Sequence, residues 1–541
     1  MNPSHAGSNP SSTGRDVRTV SGLTILSRCF GLARDLVTVR IFGDTAVGSA
    51  FAAAFAIPNL FRRLFGEGAL SAAFLPAYAR LLKNEPETAH ALGSLVIGML
   101  AVITGAIAIL GGAALLGLVY TLAPDPDRDL SLRLIVVMLP YMPLICVAAI
   151  LGGMLQAHGR FAPWAAAPII LNTCILAAAV PFFLFGGADP ARWAYFIGYA
   201  VVVAGVVQLA WSLWMLRGRA AWTTRVASAK SETFAMFRRM LPALIGLGTL
   251  QLNAMLDTLI AMWPNWVGPS MLGHRYPLDE ASNSILFYAQ RLYQFPLGVF
   301  GIAVATVIFP ELARASDDGS AFVRTLRHGV RLSLFIALPA SVGLALVRDD
   351  LIRTVYTGLG TGFSEPGAVR AAAVVLGYSV AIWSYSLMHV YTRAFYAAGD
   401  TRTPMYTGLA AVGLNLVLNL TLIWFLREAG LAWSTAIASI VQMVMLGRIA
   451  RRRLLGEPLL DSETRASIVR TIGTSLAMGL AVAAVVVFWP ARGSWGARAS
   501  ALVVAVVAGG AVYAGVSRFV RAPELGWLLA RHDPELEGPD A

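Results

Sequence analysis

Five arginine side chains interrupt or border the long apolar stretches of this sequence: Arg28, Arg34, Arg62, Arg63 and Arg291. An ionised side chain at the centre of a bilayer costs at least about 2.5–3.5 kcal/mol, so it normally faces a water-filled cavity or a partner. Arg28 and Arg34 are nearly two helical turns apart, so both can border one cavity. Several positive charges with few acidic neighbours indicate a cavity that receives an anion. The alternative is that the arginines extend from helix ends to the lipid headgroups.

The composition predicts that these residues lie in a membrane. Hydrophobic residues make up 57% of the 541 positions and charged residues only 13%. A soluble domain of this length cannot bury that much apolar side chain, which indicates an integral membrane protein. The first twenty residues are polar and lack the apolar core of a signal peptide. We expect residues 1–19 to form a disordered cytoplasmic tail.

The fold class follows from the length of the apolar segments, because a helix that spans the bilayer needs about 20 apolar residues. The predicted fold is an all-α polytopic membrane protein with about fourteen transmembrane helices, the first two of which are interrupted by charges. The predicted spans are residues 20–42, 46–65, 91–119, 131–156, 163–186, 193–216, 239–263, 284–309, 329–347, 370–397, 405–426, 429–449, 467–489 and 497–516.

Charge in the loops predicts the orientation. Lys and Arg concentrate in alternate loops, as at 217–239 and 448–465, whereas opposite loops carry acids, as at 125–127 and 279–280. The positive-inside rule then places both termini in the cytoplasm. These loops also explain the net charge of +12, so we expect no nucleic-acid partner. The three cysteines all lie in apolar segments, which argues against a disulfide framework or a cysteine-rich metal site.

Two short motifs recur in the second half of the chain. Residues 74–80 resemble residues 308–314, and residues 159–163 resemble residues 399–404, at offsets of about 234 and 240 positions. Such a repeat indicates a duplicated six-helix unit, and repeated bundles around a central site are a common transporter plan. We therefore predict two six-helix lobes around a central cavity, with two C-terminal helices. The predicted parts are a tail at 1–19, an N-lobe at 20–216, a cytoplasmic linker at 217–238, a C-lobe at 239–449, helices 13 and 14 within 450–516, and a cytoplasmic tail at 517–541.

Four groups of residues carry a family resemblance. They lie at 27–35 with 57–71, at 159–172, at 288–301 and at 395–404, and they contain the five arginines as well as Pro58, Asn172 and Pro404. Together they resemble the MurJ (MviN) family of lipid II flippases, in the multidrug/oligosaccharidyl-lipid/polysaccharide exporter superfamily. The resemblance covers predicted helices 1–12.

The resemblance implies a transporter rather than an enzyme. It implies a flippase that moves lipid II, the undecaprenyl-pyrophosphate-linked peptidoglycan precursor, from the cytoplasmic to the periplasmic leaflet by alternating access. Arg28, Arg34, Arg62 and Arg291 would line the cavity and bind the pyrophosphate, with Arg63 in support, because guanidinium offers dense charge in a fixed fork of donors. The expected location is the bacterial inner membrane. The expected partners are lipid II, membrane lipids and other cell-wall synthesis proteins, with a monomer as the functional unit.

The sequence departs from the family at three positions. Ser49, Gln290 and Gln294 stand where members carry acids, so a scheme in which those carboxylates carry protons is in doubt. Glu67 matches a family glutamate and lies four residues after Arg63. It is expected either to form an ion pair within its helix, which lowers the cost of insertion, or to act in transport.

A second group of polar residues lies in the apolar segments of the second half. Asp257 is a lone acid, and Asn415 and Asn419 are four residues apart, on one face of a helix. In family members that bind sodium, an Asp and an Asn/Asp pair occupy the matching positions, and oxygen ligands suit a hard cation. The alternative, which the sequence favours, is a buried hydrogen-bond cluster between helices. No cofactor other than sodium is expected.

Two other functions stay open on the sequence. The first is an exporter of drugs or of another lipid-linked saccharide, although a cavity for cationic drugs needs acids rather than arginines. Less expected is a membrane enzyme that processes polyprenyl phosphates, which needs clustered acids or histidines at a membrane face. The seven histidines are scattered, and no phosphate-binding loop of the ATPase type is present.

Overall fold

The structure, a computed structural model, describes residues 10–66, 69–186, 189–298, 302–357, 362–454, 458–489 and 493–529. These residues are almost entirely helical, and one short antiparallel hairpin, β1 (Ser270–Met271) with β2 (His274–Arg275), is the only sheet among them. The α-helices are α1 (Pro10–Phe42), α2 (Ala46–Phe61), α3 (Ala69–Asn84), α4 (Pro86–Thr121), α5 (Pro126–Met138), α6 (Tyr141–Ala157), α7 (Ala162–Phe185), α8 (Pro190–Leu216), α9 (Lys230–Ala261), α10 (Trp263–Trp266), α11 (Ser282–Pro296), α12 (Ile302–Arg314), α13 (Gly319–Ile352), α14 (Glu365–Ser379), α15 (Ile382–Ala397), α16 (Arg402–Leu426), α17 (Glu428–Arg453), α18 (Ser462–Phe488), α19 (Trp495–Phe519) and α20 (Pro523–Leu529).

Ten stretches of the described residues are long and apolar enough to cross a membrane. They comprise α4, α5 with α6, α7, α8, α13, α14 with α15, α16, α17, α18 and α19, and they coincide with ten of the predicted spans. The other four predicted spans fall on α1, on α2 with the π-helical turn after it, on α9, and on α11 with α12, segments that carry charged residues or internal prolines. The all-α polytopic fold is therefore confirmed, and the number fourteen stays a prediction.

Helices also occupy parts of the chain that were predicted to be a tail or a linker. Helix α1 begins at Pro10, so residues 10–19 are helical rather than part of a disordered tail; a proline suits the first turn of a helix, where its missing N–H is not needed. Helix α9 begins at Lys230, inside the predicted linker. Helix α20 lies within the predicted C-terminal tail. Residues 1–9 and 530–541 lie outside the described part of the chain.

The chain divides into two compact units. The first contains the residues up to Gln251 together with Asn265–Gly268, and the second contains Leu252–Pro264 and the residues from Pro269 onward. The division falls within α9, and α18 and α19 belong to the second unit. The predicted lobe boundaries and the central cavity between the lobes stay predictions.

Small residues allow close helix packing in both units. In the first unit α1 packs along α7, α2 packs against α5, and α6 contacts α4 and α8; a Cβ on Gly205 of α8 would lie 2.7 Å from the ring of Tyr141 on α6. In the second unit α13 contacts α14, α15, α18 and α19. The hairpin of α16 and α17 is equally tight, because a Cβ on Gly430 would lie 2.6 Å from the carbonyl group of Leu422.

Helix interruptions recur at corresponding places in the two halves. In the first half α2 is followed by a π-helical turn at Arg62–Gly66, and residues 139–140 separate α5 from α6. In the second half residues 297 and 298, directly after α11, are π-helical, and residues 380–381 separate α14 from α15. The second pair of interruptions follows the first by about 235 and 241 positions, close to the offsets of the sequence motifs.

The repeated glycines adopt the same backbone conformation. Gly159 ends the turn after α6 with φ +73°, and Gly399 ends the turn after α15 with φ +76°, values that a residue with a side chain rarely adopts. In each turn the N–H of the following residue donates to the carbonyl oxygen five positions earlier, at 2.8 Å in the first and 2.9 Å in the second. The two motifs therefore form equivalent turns.

Candidate functional site

Arg34 lies where α1 packs against α7, and it has three partners. Its Nε and Nη2 donate to Oδ1 of Asp35 at 3.0 and 2.7 Å, and its Nη1 donates to Oδ1 of Asn172 at 3.0 Å. The guanidinium carbon also lies 5.3 Å from the ring centroid of Phe55. Asp35 and Asn172 are both buried. The expectation of few acidic neighbours is therefore wrong for Arg34, because the next residue along the chain supplies a buried counter-charge.

Arg28 lies almost two turns before Arg34 on the same helix, and its side chain is exposed. The adjacent carbonyl of Ser27 accepts a hydrogen bond from Nδ2 of Asn172 at 3.5 Å. Asn172 therefore contacts α1 at two points, the Ser27 carbonyl next to Arg28 and the guanidinium of Arg34.

Arg62 and Arg63 lie in the π-helical turn after α2. Pro58 has no N–H, so it leaves the carbonyl of Ala54 without its usual helical donor. Asn59 accepts from Nε of Arg62 at 3.1 Å, and Nη1 of Arg63 donates to Oε1 of Gln251 at 3.4 Å. A π-helical turn inside a helix is rare and commonly marks a functional position. Both arginines are half-buried.

Arg291 is positioned by its own helix, α11. Its guanidinium carbon lies 4.5 Å from the ring centroid of Phe287, one turn earlier, and its Nη1 donates to Oε1 of Gln294 at 3.5 Å. A cation over an aromatic face gains about 0.5–2 kcal/mol, depending on desolvation. Gln290 points instead to α14, where its Nε2 donates to the hydroxyl oxygen of Tyr378 at 2.9 Å. The glutamines at 290 and 294 thus act as hydrogen-bonding groups.

Two other expected residues are Ser49 and Glu67. Ser49 is fully buried within α2. Glu67 lies outside the described residues. Arg28, Arg34, Arg62 and Arg63 belong to the first unit and Arg291 to the second. The assignment of these residues to one substrate site stays a prediction.

The structure does bring together the three residues of the expected sodium site. Asn419 donates through Nδ2 to Oδ1 of Asp257 at 2.7 Å and to Oδ1 of Asn415 at 3.0 Å. Nδ2 of Asn415 donates to the hydroxyl oxygen of Thr435 on α17 at 3.1 Å. Asp257, Asn415 and Asn419 are all buried, so α9, α16 and α17 meet at a polar cluster inside an apolar unit.

Sequence reasoning missed several side chains that hold these groups. Asp35 is the neighbour of Arg34 in the sequence, but adjacency in a helix does not reveal an ion pair. Phe55, Phe287 and Tyr378 carry no signal, because an aromatic residue in an apolar helix is most often core. Thr435 carries none for a similar reason: one hydroxyl in a membrane helix usually bonds to its own backbone, as Thr435 does to Leu431.

An ion cluster around the buried Glu428, near the ends of α11, α14 and α17, was also missed. Arg370 contacts Glu428, which is only 3% exposed, and donates to Oδ1 of Asp279 at 2.7 Å. Arg427 lies 2.8 Å from the second oxygen of Asp279. Partial burial alone raises the pKa of the Asp279 carboxyl, but the hydrogen bonds and charges of Arg370, Ser282 and Arg427 outweigh burial and lower that pKa below its usual value. This cluster lies near predicted helix ends on one side of the membrane.

Comparison with known proteins identifies the family. The sequence profile described as lipid II flippase MurJ matches residues 38–504 of this chain. The chain belongs to the MurJ family. The matched residues include Arg62, Arg63 and Arg291, whereas Arg28 and Arg34 precede them.

Individual family members agree along most of their length. The chain is 32% identical over 438 residues to a probable lipid II flippase MurJ from Rhizobium tropici, which covers 79% of each sequence. It is 28% identical over 459 residues to a lipid II flippase MurJ from Burkholderia cenocepacia, which covers 82% of this chain and 85% of that protein.

Solved structures share the fold. A lipid II flippase MurJ in an inward closed conformation superposes with a TM-score of 0.75 at 21% identity, over 93% of this chain and 98% of that one. An inward-facing multidrug resistance MATE family transporter of the MOP superfamily superposes with a TM-score of 0.64 at 13% identity, over 81% of this chain and 97% of that one. The resemblance to this family of transporters, expected from the motifs, is thus confirmed.

Proposed function

We propose that this chain is a lipid II flippase, which moves the undecaprenyl-pyrophosphate-linked precursor from the cytoplasmic to the periplasmic leaflet. The observation that carries the proposal is the placement of arginines at helix interruptions. Arg62 and Arg63 lie in the π-helical turn that follows α2, and Arg291 lies in the last turns of α11, just before the corresponding interruption of the second half. In transporters built from repeats, interrupted helices at corresponding positions point to the binding site.

The chemistry of the arginines fits a pyrophosphate. A pyrophosphate presents several oxygens at high charge density, and each guanidinium offers five N–H groups in a planar fork. Arg291 is held between Phe287 and Gln294, so its orientation is set before the substrate arrives. Arg34 is different, because it already binds Asp35 and a substrate phosphate has to share or replace that carboxylate.

Alternating access supplies the movement in this proposal. One cavity opens first to the cytoplasm and then to the periplasm, while the arginines hold the pyrophosphate and the lipid tail stays in the bilayer. The protein lies in the bacterial inner membrane with both termini in the cytoplasm, as the loop charges favour. It works as a monomer with membrane lipids around it and with other cell-wall synthesis proteins as further partners.

The energy source in the proposal is a cation gradient or the membrane potential. Asp257, Asn415 and Asn419 would hold sodium, because they offer a carboxylate and amide oxygens inside an apolar unit. One observation fits a cation in particular: among the described residues, no donor contacts the buried Oδ1 of Asn419. A bound cation would supply a charge that moves with the unit, and 100 mV across the membrane is worth about 2.3 kcal/mol per charge.

Complementation tests the proposal. The resident lipid II flippase of a bacterium is depleted, and this chain is expressed alongside Arg28→Ala, Arg291→Ala and, as a matched control, Arg192→Ala, whose side chain is 87% exposed. We expect growth with the parent and Arg192→Ala, and loss of growth with Arg28→Ala and Arg291→Ala at equal membrane levels. A parent chain that inserts well and does not support growth contradicts the proposal.

A further inference from the structure

Helix α11 presents two differently used faces near its C-terminal end. On one face Gln290 and Tyr293, which are three residues apart, both contact Tyr378 of α14. On the other face Arg291 and Gln294, also three residues apart, contact each other, and Phe287 lies under the guanidinium. The face that binds α14 therefore sets the direction in which the Arg291 face points.

Tyr378 is well placed to fix that direction. Its side chain is only 1% exposed, its hydroxyl oxygen accepts from Nε2 of Gln290 at 2.9 Å, and its ring stacks on Tyr293 with centroids 4.3 Å apart and planes 18° apart. One residue thus binds α11 by both a polar and an aromatic contact. Stacked aromatic pairs and buried hydrogen bonds each have a preferred geometry, so together they restrain rotation of α11 about its axis.

Tyr378 lies at the C-terminal end of α14. It is the penultimate residue of α14, directly before the two-residue interruption that precedes α15. On the other side of α14, a Cβ on the adjacent Gly377 would lie 2.8 Å from Cβ of Ala432, so α17 also packs closely here. The end of α14 therefore contacts both α11, which carries Arg291, and α17.

Helix α11 needs such a restraint because it ends two residues after Gln294, at Pro296. Residues 297 and 298 that follow are π-helical, so regular α-helical hydrogen bonding does not orient this segment from its C-terminal side. Side-chain contacts to a neighbouring helix are then the means to hold it.

We infer that Tyr378 is a positioning residue for transport, which orients Arg291 by binding Gln290 and Tyr293 on the neighbouring face of α11. The inference rests on the proposed function, in which Arg291 binds the pyrophosphate. Because the phenol and the carboxamide are both neutral, their hydrogen bond holds over the whole physiological pH range. When α14 and α15 move at their interruption, Tyr378 carries the movement to the helix that holds Arg291.

Binding of lipid II by the purified chain in lipid nanodiscs tests the inference. Tyr378→Phe removes the hydroxyl and keeps the stacked ring, and Tyr385→Phe is the matched control, because Tyr385 also stacks on Tyr293 but does not supply the hydroxyl that Gln290 binds. We expect affinity for lipid II to fall about three- to tenfold in Tyr378→Phe, as for the loss of one oriented hydrogen bond, and to stay unchanged in Tyr385→Phe. Equal affinities in parent and Tyr378→Phe overturn the inference.

A double-mutant cycle with Gln290→Met separates positioning from general stability. If Tyr378 acts through its hydrogen bond to Gln290, the double variant Tyr378→Phe with Gln290→Met binds lipid II as weakly as either single variant. Its unfolding midpoint stays unchanged. Losses that simply multiply overturn the inference, because the two side chains then act independently.

A readout without substrate keeps the inference distinct from the proposed function. The rate at which phenylglyoxal, an arginine-selective reagent, modifies Arg291 is measured by mass spectrometry, with the exposed Arg192 as internal reference. We expect the rate at Arg291 relative to Arg192 to change in Tyr378→Phe and not in Tyr385→Phe; an unchanged ratio in both contradicts positioning. If the parent does not bind lipid II, the proposed function fails, while this ratio still decides whether Tyr378 orients Arg291.

Discussion

At the scale of single residues, the arginines differ in how they are held. Arg34 is bound by an adjacent carboxylate and by Asn172 of α7, whereas Arg291 contacts an aromatic ring and a neutral amide. A phosphate that binds Arg34 has to share or displace the Asp35 carboxylate, because an ion pair already satisfies part of that charge. In the proposed function, Arg34 therefore exchanges or shares its carboxylate partner, and the contacts of Arg291 with Phe287 and Gln294 orient its charge.

The ion pair of Arg34 makes a prediction about stability. Arg34→Gln leaves the Asp35 carboxylate, whose side chain is only 9% exposed, without its guanidinium. Removal of one partner from a buried pair typically costs about 3–5 kcal/mol, so we expect a clearly lower unfolding midpoint in detergent. Adding Asp35→Asn should restore much of the loss, and Arg192→Gln serves as the exposed control. A midpoint for Arg34→Gln equal to that of the parent contradicts the assigned ion pair.

Asp279 makes a prediction about pH. Its folded pKa is lowered below the usual 3.8, because the contacts with Arg370, Ser282 and Arg427 outweigh the effect of burial. A lowered folded pKa contributes stability that is present above the unfolded pKa and is lost as the pH falls through the folded pKa. We expect Asp279→Asn to unfold at a lower temperature than the parent at pH 7, and the difference to shrink as the pH falls below the usual value of 3.8. A difference that persists unchanged to the acidic end of the titration argues against this ion cluster.

At the scale of elements, some helix interruptions could be predicted from the sequence and others could not. Pro58 indicated a disturbed second helix, and Pro140 stands in the gap between α5 and α6. The equivalent gap between α14 and α15 contains Val380 and Ala381, which carry no helix-breaking signal. The π-helical turn at Arg62–Gly66 has none either. Tertiary packing sets these two interruptions, and local propensity is too weak a signal to reveal them.

The equivalent turns at Gly159 and Gly399 allow a matched prediction. Both glycines have positive φ, and no atom lies within 4 Å of the position that a Cβ would occupy, so an alanine suffers from backbone strain alone. We expect Gly159→Ala and Gly399→Ala to destabilise the protein by a similar amount, about 1 kcal/mol each. Gly98→Ala, on α4 with equal space and ordinary helical φ, is the control and should be neutral or slightly stabilising. A large effect at only one of the two turns contradicts their equivalence.

At the scale of the whole molecule, composition and apolar length predicted the fold class well. Ten spans agree, because long apolar helices are recognised by hydropathy alone. The other four carry arginines, prolines or polar residues, and these are the helices in which the candidate site residues of α1, α2, α9 and α11 lie. Charged and polar residues lower the mean hydropathy of the helix that carries them. The helices with the residues proposed to bind substrate are therefore the hardest to recognise as membrane spans.

Part of the candidate site could be predicted, because charged residues are conspicuous in an apolar sequence. Arginines stand out in an apolar sequence, so their positions were found. Asp257, Asn415 and Asn419, which were grouped by helical spacing and family resemblance, do form one hydrogen-bonded cluster, and its binding of sodium stays a prediction. The partners of Arg34 and Gln290 were not found, because Asn172 and Tyr378 lie 138 and 88 positions away from them along the chain. A contact of that range depends on packing, which periodicity does not encode.

Transport by the purified protein tests the central claim most directly. The chain is reconstituted in liposomes with labelled lipid II in one leaflet, and its appearance in the other leaflet is timed for the parent, Arg62→Lys, Arg291→Lys and the control Arg192→Lys. We predict rapid movement with the parent and the control, and at least about tenfold slower movement with Arg62→Lys and Arg291→Lys, because lysine keeps the charge but loses the fork that binds phosphate oxygens. Movement at the parent rate in both variants, or none with the parent, would contradict flipping through an arginine-lined site.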